Sequence, residues 1–194
     1  MKKLILLLVF VLPVGVNAQR FQGGIMSGFN VSQIDGDGWS GFNKAGFVGG
    51  AYVFTDFTEK WGALMEIRYS SKGSATSKDN VQNIKIRLQY IEIPLVAKFE
   101  IIDNLDIQAG FSVGYLFNAA RNDGYGYVKY DEKDGSVELA LCVGLNYSFF
   151  NRFDVSIRYS YSVFPLSASY TGATYETGAY FNNVITFGFY FKIG

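Results

Sequence analysis

The sequence predicts an all-β protein, an eight-stranded antiparallel up-and-down β-barrel that spans a membrane. Three observations support this prediction. In eight segments apolar and polar residues alternate with a period of two, which is typical of a strand whose two faces meet different surroundings. The connections between these segments are alternately short and long, and aromatic residues concentrate near the segment ends.

Residues 1–18 have the features of a secretory signal peptide and precede a single barrel domain, residues 19–194. A basic start and an apolar run over residues 4–16 lead to Val16-Asn17-Ala18, which places small residues at a cleavage site. The apolar run is shorter than the ~20 residues that a membrane helix needs. We therefore expect the chain to be exported.

The eight predicted strands follow the alternation along the chain. It is clearest over residues 153–164, where an uncharged apolar face opposes a face of serines with Asp154 and Arg158. Lipid suits the apolar face, and a narrow wet lumen suits the polar face. The strands are predicted at residues 21–32, 44–54, 61–72, 84–99, 105–118, 137–149, 153–164 and 181–193.

Short and long connections alternate between these strands, as short periplasmic turns and long outer loops do in outer-membrane barrels. An even number of strands also places both ends of the mature chain on the periplasmic side. The short connections are residues 55–60, 100–104 and 150–152, and the long ones are residues 33–43, 73–83, 119–136 and 165–180.

The fourth strand departs from regular alternation. The apolar residues of segment 84–88 are out of phase with Ile91 and those that follow it, and Pro94 lies within the strand. A closed barrel has no free edge for a proline, so we expect a β-bulge near residues 90–94 that resets the phase. The alternative is that residues 84–89 belong to an extension above the membrane.

Aromatic residues near both ends of the strands predict two girdles at the membrane–water interfaces, where their amphipathic rings lie at headgroup level. Enrichment of aromatic residues in any β-protein is the simpler alternative. The predicted girdle residues are Phe54, Trp61, Phe99, Phe149, Phe153, Tyr115, Tyr159, Tyr161 and Phe191.

Charged residues on the polar faces predict a network inside the lumen. An eight-stranded lumen is just wide enough for side chains to fill it, and charges buried there must be paired. We expect Glu66, Glu92 and Arg158 to meet at mid-strand and to close the lumen, with a conducting pore or a binding site as the alternative. The complete predicted network is Glu66, Arg68, Glu92, Lys98, Glu138, Asp154 and Arg158.

Composition excludes several classes of function. The chain has 17 basic and 17 acidic residues, so no nucleic-acid partner is expected. It has no histidine, which excludes a Ser-His-Asp triad and a histidine-ligated metal, and its single cysteine excludes an internal disulfide. We expect no cofactor, no metal site and no enzymatic activity. Asp35-Gly36-Asp37-Gly38 lacks the further ligands of a calcium loop and is predicted to be a turn.

The loops are the more promising interaction surface. Residues 121–135 mix tyrosines with charges of both signs, and residues 167–180 are rich in Tyr, Thr, Ser and Gly, residue types that form adaptable recognition surfaces. A solvated loop without a partner explains the same composition equally well.

Two segments carry a resemblance to a known family: Glu66-Ile67-Arg68-Tyr69-Ser70-Ser71-Lys72-Gly73 and Tyr90-Ile91-Glu92-Ile93-Pro94-Leu95. They resemble the PorT-like outer-membrane β-barrel domain family, and weaker likenesses extend over most of the mature chain. The architecture is also similar to small OmpA- and OmpX-type barrels. The resemblance implies a barrel in a Gram-negative outer membrane that contacts outer-membrane lipid. It also implies placement by barrel insertion machinery, which reads an aromatic residue at the end of such barrels. The given sequence departs from this pattern, since it ends Phe191-Lys192-Ile193-Gly194, and Phe189 or Phe191 is expected to serve instead.

These observations together predict a barrel with a side-chain-plugged lumen. We expect a structural or surface-interaction protein that acts in adhesion or assembly through its outer loops, with an unidentified extracellular or periplasmic protein partner. A small gated channel or a transport or secretion accessory barrel is the first alternative. A secreted lipocalin-like carrier is the second, although its apolar faces would point inward.

Overall fold

The computed structural model describes residues 21–77, 84–129, 137–150, 152–166 and 179–193. Within these ranges the chain forms nine strands and no helix, and therefore no helix that is long and apolar enough to cross a membrane. The strands are β1 (Gln22–Asp35), β2 (Lys44–Asp56), β3 (Trp61–Ala75), β4 (Lys85–Ile102), β5 (Leu105–Asn122), β6 (Tyr127–Lys129), β7 (Val137–Phe150), β8 (Phe153–Ser162) and β9 (Phe181–Ile193).

Eight of these strands close into an antiparallel barrel, as predicted. Strands β1 to β4 are paired in sequence order, β9, β8, β7 and β5 follow from β1 in the other direction, and β4 pairs with β5 to complete the circle. The first and last strands close the barrel against each other, with Gly23 opposite Ile193. Among the described strands, β6 pairs with the end of β5 alone and extends the sheet at the end of the barrel that carries the long connections. We call this the loop end and the opposite end the turn end.

Most strands extend beyond their predicted bounds because the ladders continue past the apolar band. Strands β4 and β5 reach 18 residues each and leave only two residues between them. One of the two is Asn104, whose φ of 67° suits an asparagine in a tight hairpin turn. Only β8 is shorter than predicted, since it ends at Ser162.

The bulge predicted in β4 near residues 90–94 is wrong, because the extra residue lies on β5. Gln89 is opposite Asn118 while Tyr90 is opposite Leu116, so Phe117 has no partner on β4. Strand β4 keeps its phase throughout, with alternate side chains buried from Ile86 to Val96. No β3 partner is recorded for Pro94, which lacks the N–H that a ladder hydrogen bond requires.

Candidate functional site in the lumen

Charged side chains meet inside the barrel because alternate residues of each strand point to the lumen. On β3, Glu66 and Arg68 are buried, whereas Met65 and Ile67, which alternate with them along the strand, are exposed. The pairing Arg68 opposite Glu92 brings β4 to the same level, and cross-strand partners share a face of the sheet. The lumen is therefore lined by charges where the outer surface is apolar.

Six buried side chains form a continuous chain of ion pairs across the lumen. In order along this ion-pair chain they are Arg158, Glu66, Arg68, Glu92, Lys72 and Glu138. The N–O distances of the consecutive pairs are 2.8, 3.1, 2.9, 2.7 and 2.8 Å. Positive and negative charges alternate and cancel, which removes the large desolvation cost that an unpaired charge would carry here.

Neutral side chains satisfy further atoms of the ion-pair chain. Arg158 donates a second hydrogen bond from Nη2 to Gln108 Oε1 at 2.8 Å, and Tyr190 donates its hydroxyl to Glu66 Oε1 at 2.9 Å. At the far end, Asn182 donates from Nδ2 to Glu138 Oε2 at 2.6 Å. These bonds fix the orientations of Glu66 and Glu138, because each of these two carboxylates accepts hydrogen bonds from more than one strand.

Five of the seven residues predicted to form the lumen network lie in the ion-pair chain, and two do not. Lys98 pairs instead with Asp106 at 3.0 Å, and Asp154 pairs with Lys192 at 3.2 Å, both nearer the turn end. The prediction also missed Lys72, which bridges two glutamates of the ion-pair chain. Its place in the same inward series as Glu66 and Arg68 was the available signal.

An apolar cluster occupies the lumen at the loop end. Tyr90 joins it to the ion-pair chain, because the Lys72 ammonium lies 4.2 Å from the centroid of the Tyr90 ring. Trp39, on the first long connection, packs against this cluster from the side of the loops. The loop-end cluster consists of Ile34, Ile86, Leu88, Tyr90, Leu116, Ala119, Leu166 and Tyr180.

A second apolar cluster extends from the middle of the lumen toward the turn end. Phe54 belongs to it, so the prediction that Phe54 is a girdle residue is wrong: its side chain is 6% exposed and packs on Tyr52, with ring centroids 6.1 Å apart. The turn-end cluster consists of Met26, Val48, Tyr52, Phe54, Leu64, Val96, Cys142 and Tyr190. Beyond Phe54 the lumen widens into an open depression of about 900 Å³ that also contacts Asp56, Asn104 and Lys192.

The other predicted girdle residues point away from the lumen. Trp61 lies against Phe99 with ring centroids 4.7 Å apart, and Phe153 lies against Phe189 at 6.4 Å. Their position at headgroup level stays a prediction. The outward-facing members are Trp61, Phe99, Phe149, Phe153 and Phe191 toward the turn end and Tyr115, Tyr159 and Tyr161 toward the loop end.

No cluster of three or more potential metal-ligating side chains is present in the described part of the chain. The ion-pair chain leaves its carboxylates engaged with cations, so the geometry supports a structural role for Glu66 and Glu92. The arrangement can hold the barrel wall together across the lumen and close it to the passage of ions.

A family model confirms the class of protein. Residues 14–168 match the model described as outer membrane protein beta-barrel domain. The chain belongs to this family. In an outer-membrane barrel the apolar outer surface contacts lipid. The buried charges of this chain therefore lie in a lumen that the membrane surrounds.

Solved outer-membrane barrels share the fold of the chain. Ail, the attachment invasion locus protein of Yersinia pestis, was solved with the heparin analogue sucrose octasulfate. It is 15% identical, with a TM-score of 0.55 over 90% of this chain and 99% of Ail. Neisserial surface protein A is 12% identical, with a TM-score of 0.58 over 89% of this chain and 97% of that protein. No curated protein sequence matches the chain.

Proposed function

We propose that this outer-membrane barrel is a surface-interaction protein whose lumen is closed and whose outer loops contact extracellular partners in adhesion or assembly. The observation that carries the proposal is the ion-pair chain, with an apolar cluster on either side of it. A lumen filled in this way leaves the loop end as the part of the molecule available for partners. The solved relatives support this role, since Ail is an attachment protein that holds a heparin analogue.

We further infer that the chain groups with the PorT-like barrels. In support, the two segments that carry the resemblance supply Glu66, Arg68, Lys72 and Glu92 to the ion-pair chain. They also supply Ser70, which accepts a hydrogen bond from Asn30 at 2.9 Å.

The same proposal covers how the chain reaches the membrane. Residues 1–18 act as a cleaved signal peptide, and the barrel insertion machinery then reads an aromatic residue near the end of β9. The absence of histidine from the sequence supports a role without catalysis.

Conductance in planar lipid bilayers tests the closed lumen. We expect the wild-type barrel to give no stepwise current. The variant E66A/R158A, which removes two consecutive ion pairs from the ion-pair chain and keeps the net charge, should give brief openings. Stable openings of the wild-type barrel would contradict the proposal and favour a channel.

Adhesion tests the role of the loops. Bacteria that display the barrel should adhere to surfaces coated with sulfated polysaccharide, and replacement of residues 121–135 by a glycine-serine linker of equal length should reduce adhesion several-fold. Replacement of residues 57–60, at the turn end, is the matched control and should leave adhesion unchanged. Equal adhesion by bacteria without the barrel would contradict a surface-interaction role.

A further inference from the structure

Three cationic side chains lie together on the outer face of the barrel at the loop end. Arg87 on β4 is opposite Ala120 on β5, which is opposite Lys129 on β6, and cross-strand partners share a face. Lys85 lies two residues from Arg87 on the same face of β4. We call Lys85, Arg87 and Lys129 the cationic patch.

An aromatic ring holds the central member of the patch in place. The guanidinium carbon of Arg87 lies 3.7 Å from the centroid of the Tyr127 ring, a stacking distance. Tyr127 is opposite Asn122 on β5, and Asn122 is opposite Lys85 on β4. The Tyr127 ring therefore lies on the same face as Lys85 and Arg87, close enough to contact the Arg87 guanidinium. The Arg87 Nε atom is shielded from solvent and has no hydrogen-bond partner within the described ranges.

Within the described ranges, the charges of the cationic patch have no carboxylate partner, unlike those of the lumen. Among the residues that the structure describes, no carboxylate lies within 4.0 Å of any of its three cationic groups. The nearby carboxylate of Asp123 is already bound by Arg121 at 2.6 Å. This is an excess of positive charge in a protein whose formal net charge is zero.

Lys44 lies near the patch on the inner side of the sheet. Its side chain is buried, and the ammonium donates a hydrogen bond to the Ala45 carbonyl oxygen at 2.7 Å. Burial lowers the pKa of the Lys44 ammonium, and the positive charges of Arg87 and Lys85 lower it further.

The patch lies on the loop-end side of the last outward apolar residue of β4. Ile91 is the last exposed apolar residue on the outer face of β4, and the next outward residue, Gln89, donates a hydrogen bond to the Tyr69 hydroxyl at 2.5 Å. Arg87 follows, about 13 Å along the strand from Ile91 at ~3.3 Å per residue. With the usual barrel tilt this is roughly 10 Å along the membrane normal, which reaches the polar zone outside the hydrocarbon core.

We propose that the cationic patch binds the phosphate groups of a phosphorylated glycolipid in the outer leaflet of the membrane. The side chains point sideways over the headgroups and not upward from the loops, which favours a lipid over a soluble partner. An arginine fork held by Tyr127, with Lys85 two residues along β4 and Lys129 on β6, matches the oxygen atoms and the charge of a phosphate monoester. The proposal rests on the orientation given under the proposed function, with the long connections outside.

Native mass spectrometry of the barrel released from detergent with lipid A tests the proposal. The fraction of barrel that carries bisphosphorylated lipid A gives an apparent affinity, and lipid A without phosphates is the reference lipid. We expect the variant K85Q/R87Q/K129Q to bind the phosphorylated lipid about fivefold more weakly for each charge removed. Its affinity for the dephosphorylated lipid should not change.

The variant K60Q/R152Q is the matched control, because it removes exposed cations at the opposite end of the barrel. It should bind phosphorylated lipid A as the wild type does. If the triple variant fails to show the folded band in gel electrophoresis, K85Q alone serves in its place, since the Lys85 side chain is exposed. A fivefold loss is expected for K85Q.

Three results would overturn the proposal. One is equal binding of phosphorylated lipid A by the wild type and the triple variant. Another is complete displacement of the lipid by millimolar inorganic phosphate, which would indicate a site for free anions. The third is loss of heparin binding in the triple variant without loss of lipid binding, which would assign the patch to a soluble glycan. None of these results depends on conductance, so a failure here is distinguishable from an open lumen.

Discussion

In the middle of the barrel the outward side chains are apolar and the inward ones are charged, whereas at the loop end this order is reversed. Strand β4 contains both regions. Ile91 points outward next to the inward Glu92, but six residues earlier Lys85 points outward next to the inward Ile86. The phase of the strand is constant, so the difference comes from the surroundings, which change from lipid to water along the strand.

The comparison shows that a shift in hydrophobic phase does not require a bulge. An apolar residue faces outward where the exterior is lipid and inward where the exterior is water. A single regular strand that crosses this boundary therefore shows two apolar series of opposite phase. The loop end resembles a small water-soluble barrel in this respect, because the loop-end cluster forms an apolar core between the ion-pair chain and the long connections.

The largest expected effect on stability comes from breaking the ion-pair chain. Arg158→Ala leaves the buried Glu66 without its closest cation and should lower the free energy of unfolding by about 3–5 kcal/mol. Urea-induced unfolding of the barrel in phospholipid vesicles measures this change in the free energy of unfolding. Arg152→Ala is the control, because it removes an exposed arginine at the turn end, directly before β8. It should change the free energy of unfolding by less than ~0.5 kcal/mol. Equal small effects of both changes would contradict the role of the ion-pair chain.

The apolar layer at the loop end should respond through cavity formation. Leu88→Ala removes a fully buried side chain from the loop-end cluster and should cost about 2–4 kcal/mol. Val128→Ala, on the same end but 72% exposed, is the control and should have almost no effect. The same urea titration measures both variants. A small effect of Leu88→Ala would mean that the loop end is not a packed core.

Tyr90 joins the two layers, so two substitutions separate its contributions. Tyr90→Phe keeps the ring over the Lys72 ammonium and removes the hydroxyl that accepts from Asn182 at 3.3 Å, which should cost about 1 kcal/mol. Tyr90→Leu also removes the cation–π contact and should cost at least ~0.5 kcal/mol more. If the two variants unfold at the same urea concentration, the ring contact with Lys72 contributes nothing.

The smallest expected effect is a gain in the free energy of unfolding, and this gain depends on pH. The pKa of Lys44 is lowered in the folded barrel, so its charged form is disfavoured there relative to the unfolded chain. Lys44→Met should therefore stabilise the barrel near pH 7, on the order of 0.5 kcal/mol. The gain should shrink as pH rises toward the unfolded pKa of about 10.5, because the wild type then loses the unfavourable charge. A gain that is independent of pH would assign the effect to packing alone.

The number and order of the barrel strands were predictable because the alternation and the turn signals are local. The pairing of charges was predictable only in part. Glu66 and Arg158 are 92 positions apart in the chain, and the sequence places both on inward faces without fixing the height at which they meet. Lys98 and Asp154 have the same inward phase, yet the register brings them to Asp106 and Lys192 nearer the turn end.

Phe54 shows why side-chain direction was harder to predict than strand position. Strand β2 has weak alternation, and Phe54 lies beside a short turn, where an aromatic residue is expected in the girdle. Its phase is that of Tyr52, and both rings fill the lumen. The bulge at Phe117 was also not predictable, because an inserted residue on β5 is defined only against its partners on β4.

The sequence by itself determined that this protein is a barrel of eight strands with one apolar and one polar face, because a period of two is a property of neighbouring residues. Only the tertiary structure decided which charges form the ion-pair chain, where the polarity of the faces reverses, and that the cationic patch has no carboxylate partner among the described residues. These features depend on the register of strands far apart in the chain, and register is set when the barrel closes.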